Sequence, residues 1–204
     1  VMAELGGADA VSAHLRQDRS QIRERDLRLM RQILHIPVIL EMSATSEMIG
    51  AALEIKPDRV FLVSEDWEVR SWESSLDLIV HREQAGEAVR ILADAGISTG
   101  VCLEADPEQI RIAHRIEAGA VQVETAFLDQ AEADLSRVLD AAKLARKLKL
   151  SFIAGSDVTA SRMKKLCAVE EIDGVVIGHS LVARALMKGM SEVVREMLAV
   201  LNRG

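Results

Sequence analysis

The chain has 204 residues, 49% of them apolar, and carries 25 basic against 32 acidic residues for a formal net charge of -7. That length and apolar content suit one domain with a sizeable core. The charge argues against nucleic acid or an anionic membrane as partner, since both reward a basic face. Two cysteines, Cys102 and Cys167, make no close pair and no metal-ligand spacing with the five histidines. They read as reduced packing residues of a cytoplasmic protein, with no metal implied. No run of about 18 apolar residues is present, and the first residues do not form a secretory leader, so neither a membrane span nor a signal is expected. With no tyrosine, three phenylalanines and two tryptophans, the core must be packed by aliphatic side chains, as in a barrel interior filled by branched residues.

In chain order, Met2–Leu5 ahead of Gly6-Gly7 reads as the tail of a helix with a glycine stop, so the chain is expected to begin within a repeating unit. Strand-like runs follow at Asp9–Leu15, Val38–Met42, Arg59–Ser64, Ser98–Glu104, Ala120–Thr125, Ser151–Ala154 and Gly174–Ile177. Helical periodicity lies between and after them, at Gln21–Leu34, Ser46–Ile55, His81–Ala95, Pro107–Glu117, Gln130–Leu148, Ala160–Ala168 and Leu181–Leu201. Thr45, Asp106 (before Pro107) and Asp129 are start signals, while Gly96 and Gly119 sit where helix stops belong. Strand and helix alternate without a linker. The strands are too uniformly apolar to have one wet face, which predicts a parallel sheet covered by helices.

Seven strands after a helix remnant predict a single-domain eightfold (βα) barrel of the TIM type over residues 1–204, with its first strand missing and its N-terminal side incomplete. An open doubly wound sheet is the rival. The barrel is preferred because no G-x-G-x-x-G turn follows an early strand. The one long connection, Glu65–Ile79, holds both tryptophans and reads as a lid or a subunit contact.

In such a barrel the chemistry belongs at the carboxyl ends of the strands. The first strand offers His14, able to exchange a proton near neutral pH, and Arg16, able to fork onto a phosphate or carboxylate; alternation puts both on one face. The second delivers Glu41, inside an apolar run, where a carboxylate is costly unless paired or protonated and where it would suit a general base. A salt bridge to Arg16 is the plain structural alternative. The last strand ends in Gly178-His179 and enters a helix at once, a turn that would let backbone approach closely and aim helix N–H groups at a phosphate; a simple tight turn would look the same. Arg162, Lys164 and Lys165 read as a solvated helix face.

Five stretches carry a resemblance over nearly the whole chain: H-L-R-Q-D-R-S-Q-I at His14–Ile22, L-E-M at Leu40–Met42, K-P-D at Lys56–Asp58, L-A-D-A-G-I at Leu92–Ile97 and V-I-G-H-S-L-V-A-R-A-L at Val176–Leu186. In order and spacing they resemble the pyridoxine 5'-phosphate synthase family of vitamin B6 biosynthesis. The resemblance implies condensation of 1-deoxy-D-xylulose 5-phosphate with 3-amino-2-oxopropyl phosphate, releasing inorganic phosphate and water. It implies no cofactor, small phosphorylated substrates and a homo-oligomer. It makes His14 and Glu41 acid–base residues, Arg16 a substrate-binding residue and Gly178-His179 a phosphate-binding turn.

The chain departs from the family pattern at several positions. Gln122 and Glu124 stand in V-Q-V-E-T-A where the family reads like I-E-I-H-T-G, and Ser156 and Asp157 replace a histidine and a glycine. Gln21 stands for the family's second histidine after H-L-R, and Ser74-Ser75 for a glycine pair. The family's Asn-x-Asp-His first strand is not within these residues. Three readings stay open: a divergent synthase in which Asp157 or Glu124 takes over a proton transfer, a related phosphate-binding barrel with another reaction, or a pseudoenzyme with a structural or regulatory role.

Overall fold

A computed structural model describes residues 1–64, 75–125, 128, 132–155 and 158–201. The order is α1 (Met2–Gly6), β1 (Val11–His14), α2 (Glu24–Ile33), β2 (Val38–Met42), α3 (Ser46–Ile55), β3 (Arg59–Leu62), α4 (Leu78–Asp94), β4 (Ser98–Leu103) and α5 (Pro107–Arg115). It continues through β5 (Ala120–Glu124), α6 (Glu132–Lys147), β6 (Ser151–Gly155), α7 (Ala160–Leu166), β7 (Gly174–Val175), α8 (His179–Lys188) and α9 (Met190–Leu201). All neighbouring strands pair in parallel, in sequence order β1 to β7. This is the strand–helix alternation of an α/β barrel, with β1 and β7 as the two edges of the sheet.

Register and pleat sort the strand residues into two sets. Leu15, Leu40, Leu62, Val101, Leu103, Val121, Val123, Phe152 and Ala154 join helix residues such as Leu27, Met48, Leu92 and Ile110 in one large aliphatic core between sheet and helices. The opposite parity forms a small inner cluster of Phe61, Val63, Cys102 and Ala120, with Ile39 and Ile153 against it. Because successive side chains point to opposite faces, Ser12, His14, Glu41, Gln122 and Glu124 belong to that inner set. Gly100 is small there for a reason: a Cβ on it would lie 2.4 Å from Phe61 Cε1.

Local chemistry explains the helix ends. Thr45 accepts from Met48 N–H at 3.4 Å, and Asp106 accepts from the N–H groups of Glu108 (2.7 Å) and Gln109 (3.1 Å). Gly7 closes α1 at φ 99, and Gly96 follows α4 at φ 75, as the sequence predicts. Several expectations change: α2 begins at Glu24 rather than Gln21, β7 ends at Val175 rather than Ile177, and α8 begins at His179 rather than Leu181. The C-terminal helix is two, α8 and α9, because Gly189 takes φ 90 and ψ 144, a backbone that a continuous helix excludes. After α5 the left-handed residue is Glu117 (φ 63), and Gly119 instead donates its N–H to Thr99. A first turn from Leu78, capped by Asp77 and with Leu78 N–H donating to Gln109 at 2.8 Å, precedes the expected start of α4 and joins the rest of the helix across a kink at His81 (φ -104, ψ 18). Arg162 is buried and Lys165 Nζ donates to the Leu128 carbonyl, so that helix face is not merely solvated. Asp129 and residues 65–74 of the long connection lie outside the described residues.

At the amino ends of β2 and β6, aspartates hold backbone N–H groups. Asp58 accepts from Val38 N–H at 2.8 Å and from Arg31; Asp173 accepts from Phe152 N–H at 2.8 Å and Ser151 Oγ at 3.0 Å. Burial pushes the Asp58 carboxyl up, but the bonds from Arg31 and Val38 outweigh it and leave it below its ordinary range. Among the described residues, no helix is long and apolar enough to cross a membrane.

Candidate active site

The parallel register puts His14 of β1 opposite Glu41 of β2, so the imidazole and the carboxylate rise from neighbouring strands about 4.8 Å apart. Leu15 N–H extends that ladder by one bond, to the Glu41 carbonyl at 3.0 Å. Both side chains are half-buried on the inner face at its carboxyl end. The Glu41 carboxylate accepts a hydrogen bond from Ser12 Oγ at 2.5 Å.

The salt bridge between Glu41 and Arg16, the plain structural alternative, does not form. Arg16 Nε lies 3.2 Å from Asp18 Oδ1, because the chain turns directly after β1 and brings Asp18 back on it. Asp18 is held below the ordinary carboxylate range chiefly by Ser20 N–H at 3.0 Å, with Ser20 Oγ and Arg16 adding to it. An ionised Asp18 thus anchors the guanidinium at the rim. The rest of this loop is pinned by Arg19, whose guanidinium reaches Glu24 and Glu47 at 2.8 Å and the Gln17 carbonyl at 2.7 Å. Gln17 Nε2 in turn donates to Ser43 Oγ at 2.9 Å, tying the loop to the end of β2.

On β5, Gln122 (3% exposed) and Glu124 (7% exposed) are both buried, and Glu124 pairs in register with Gly155. Gly155 has no side chain because Gln122 lies across it: a Cβ there would be 2.8 Å from Gln122 Cγ. The carboxamide is therefore packed into the inner face at the position where the resemblance expects a glutamate. Ser156 and Asp157 lie outside the described residues. Gln21 is exposed, in the loop before α2, and takes no part in the inner set.

Gly178 and His179 sit at the same end of the sheet but beyond its other edge, β7, and both are exposed. Gly178 has φ -109 and ψ -105, and its carbonyl accepts from Leu181 and Val182 as α8 begins. A Cβ on Gly178 would meet nothing within 4 Å. Among the described residues no group presses on it, so the space beside the helix N-terminus is open to a ligand. Ser180 Oγ donates to the Val158 carbonyl at 2.5 Å, which fixes this turn against the segment before α7.

The structure thus joins Ser12, His14 and Glu41 in one contiguous group, sets Gln122 and Glu124 on the same inner face, and puts Gly178-His179 after β7, at the other edge of the sheet. Sequence reasoning passed over Ser12, although its place two residues before His14 puts it on the same pleat face. A second concavity of about 650 Å³ lies between α2 and α3, but its Arg19 and Arg28 are already paired with Glu24, Glu47 and Glu54. The inner face carries the better-placed chemistry.

These features define an α/β-barrel protein whose polar groups gather at the carboxyl ends of its strands. Solved structures agree on the fold: KGPDC from Streptococcus mutans superposes with TM-score 0.72 at 11% identity, over 99% of this chain and 90% of that one. The 3-hexulose-6-phosphate synthase from Salmonella typhimurium gives 0.71 at 14% identity, over 96% and 87%. At the level of sequence, the model of the pyridoxal phosphate biosynthesis protein PdxJ matches residues 1–203, and the chain belongs to that family. The pyridoxine 5'-phosphate synthase of Desulforapulum autotrophicum is 42% identical over 206 residues, covering 98% of this chain and 86% of the relative. That of Thermosynechococcus vestitus is 36% identical over 208 residues, covering 99% and 87%.

Proposed function

We propose that the chain is a pyridoxine 5'-phosphate synthase, condensing 1-deoxy-D-xylulose 5-phosphate with 3-amino-2-oxopropyl phosphate and releasing inorganic phosphate and water. The observation that carries this reading is the family match over residues 1–203, with the motif residues His14 and Glu41 facing each other across β1 and β2. Nothing in the comparisons favours a different reaction or a purely structural role.

Imine formation and ring closure need a base to take protons from carbon and nitrogen and an acid to return them to departing oxygen. The Glu41 carboxylate is the base in this reading, and the His14 imidazole, one strand away, is its acid–base partner. Arg16, anchored by Asp18, supplies a forked pair of donors to one phosphate. The open space at Gly178 and the first N–H groups of α8 accept the other. Gln122 is confined to hydrogen bonding, since a carboxamide does not titrate, and Glu124 is the nearest carboxylate on that strand to take over a proton transfer. The reading places the enzyme in the cytoplasm. It also gives exposed apolar side chains on α2 (Leu29, Ile33) and α8 (Val182, Leu186, Met187) to contacts between copies in a homo-oligomer.

The test is to supply the purified chain with both substrates and follow inorganic phosphate and pyridoxine 5'-phosphate together. Equimolar appearance of the two is expected. A chain that folds but forms neither product overturns the assignment.

A further inference from the structure

We propose that Ser12 is a positioning residue for Glu41, holding one carboxylate oxygen so that the other is presented to substrate; the inference rests on the synthase reading above. Ser12 lies two residues before His14 on the inner face of β1, and the register places it opposite Ile39, with His14 opposite Glu41. The Glu41 side chain therefore does not run straight out from its strand. It bends back along the diagonal to the Ser12 hydroxyl, which donates to Oε1 at 2.5 Å. That length falls in the range of charge-assisted O–H to O⁻ bonds. Among the described residues it is the one side-chain hydrogen bond that Glu41 makes, so Oε2 is left for the reaction.

A hydroxyl at this position is not explained by packing. Its neighbours on the inner face are the apolar Ile39 and, one strand on, Phe61 and its cluster. Alanine or valine would suit those neighbours as well, whereas a hydroxyl among them is costly without a partner. The partner it has is Glu41. A glutamate has three rotatable bonds, and a half-buried one at an open strand end samples several rotamers unless something holds it. Proton transfer needs heavy-atom approaches of about 2.6–3.2 Å, and displacement by about 1 Å costs on the order of a hundredfold in rate. The Ser12 bond fixes the carboxylate's position without consuming the oxygen that must take the proton. Ser12 touches no substrate in this arrangement; it acts through Glu41.

The experiment is steady-state kinetics of the full chain with Ser12→Ala, Ser12→Thr and Ser12→Val, each also on a Glu41→Gln background, with melting temperatures as the folding check. Ser12→Ala should lower kcat by roughly ten- to a hundredfold with KM within about threefold. Ser12→Thr, which keeps the hydroxyl, should restore kcat to within a few-fold. Ser12→Val, of the same shape without the hydroxyl, should not. On the Glu41→Gln background Ser12→Ala should cost nothing further, because the group it positions is gone. Equal kcat for Thr and Val, a full kcat for Ser12→Ala, or an equal loss on both backgrounds would overturn the inference while leaving the synthase reading intact. Should Val melt far below Thr, the coupling between Ser12→Ala and Glu41→Gln decides alone. A folded wild type that turns over neither substrate contradicts the synthase reading itself, and the role given to Ser12 falls with it.

Discussion

Leu40 and Glu41 are consecutive on β2 and live in different surroundings. Leu40 is 0% exposed beneath the helices, inside an aliphatic core that runs the length of the chain. Glu41 is half-buried on the other face and bonded to a serine. The same contrast holds along β1, β2 and β5: the outward parity is apolar and buried, while the inward parity ends in His14, Glu41 and Glu124. Stability is thus concentrated on one side of the sheet and chemistry on the other, so a substitution's effect should depend on parity more than on position along the chain.

The largest loss of stability should come from the outer set. Leu40→Ala removes a fully buried side chain and leaves a cavity, and a drop of about 2–5 kcal/mol in urea unfolding is expected, with turnover per folded molecule within about twofold. A loss below about 1 kcal/mol would mean the outer core is looser than its burial indicates. The inner floor should be less costly but still sensitive. Gly100→Ala puts a Cβ 2.4 Å from the Phe61 ring, which must rotate or shift, so a loss of about 1–3 kcal/mol is expected in the same measurement. No change there would show that the inner cluster has room the geometry denies.

The smallest effect lies away from both faces, at the start of α4. Asp77 accepts from Ile79 N–H and Gln109 Nε2, each at 2.8 Å, and the Gln109 bond leads in holding its carboxyl below the ordinary range. Asp77→Ala should cost about 1 kcal/mol at neutral pH. A depressed carboxyl contributes stability above its unfolded value and loses it as pH falls through the folded value. The difference between wild type and Asp77→Ala should therefore narrow below about pH 4. Unfolding curves at neutral and acid pH check the sign; a gap that widens in acid would contradict it.

Parity also explains what the sequence made legible. Runs such as Val38–Met42 and Ser46–Ile55 were readable to the residue because their pattern and caps are local. The start of α4 was not, since one of its stabilising partners, Gln109, is 31 residues away from Leu78. The periodicity of Leu181–Leu201 crosses Gly189 without a break, and only the left-handed backbone there divides it. At the site, His14 and Glu41 stood out by type. The partner of Glu41 did not: Arg16 was the obvious charge, but Asp18 claims it from two residues away, and Ser12 is a small polar residue of the kind that alternation also places on solvated strands.

The most direct test sets the two neighbours on β2 against each other. Glu41→Gln should leave the melting temperature within a few degrees of wild type and reduce product formation by about 10²–10⁴-fold, while Leu40→Ala does the reverse. Glu41→Gln with undiminished formation of pyridoxine 5'-phosphate would contradict the account, because the inner carboxylate would then have no part in the reaction.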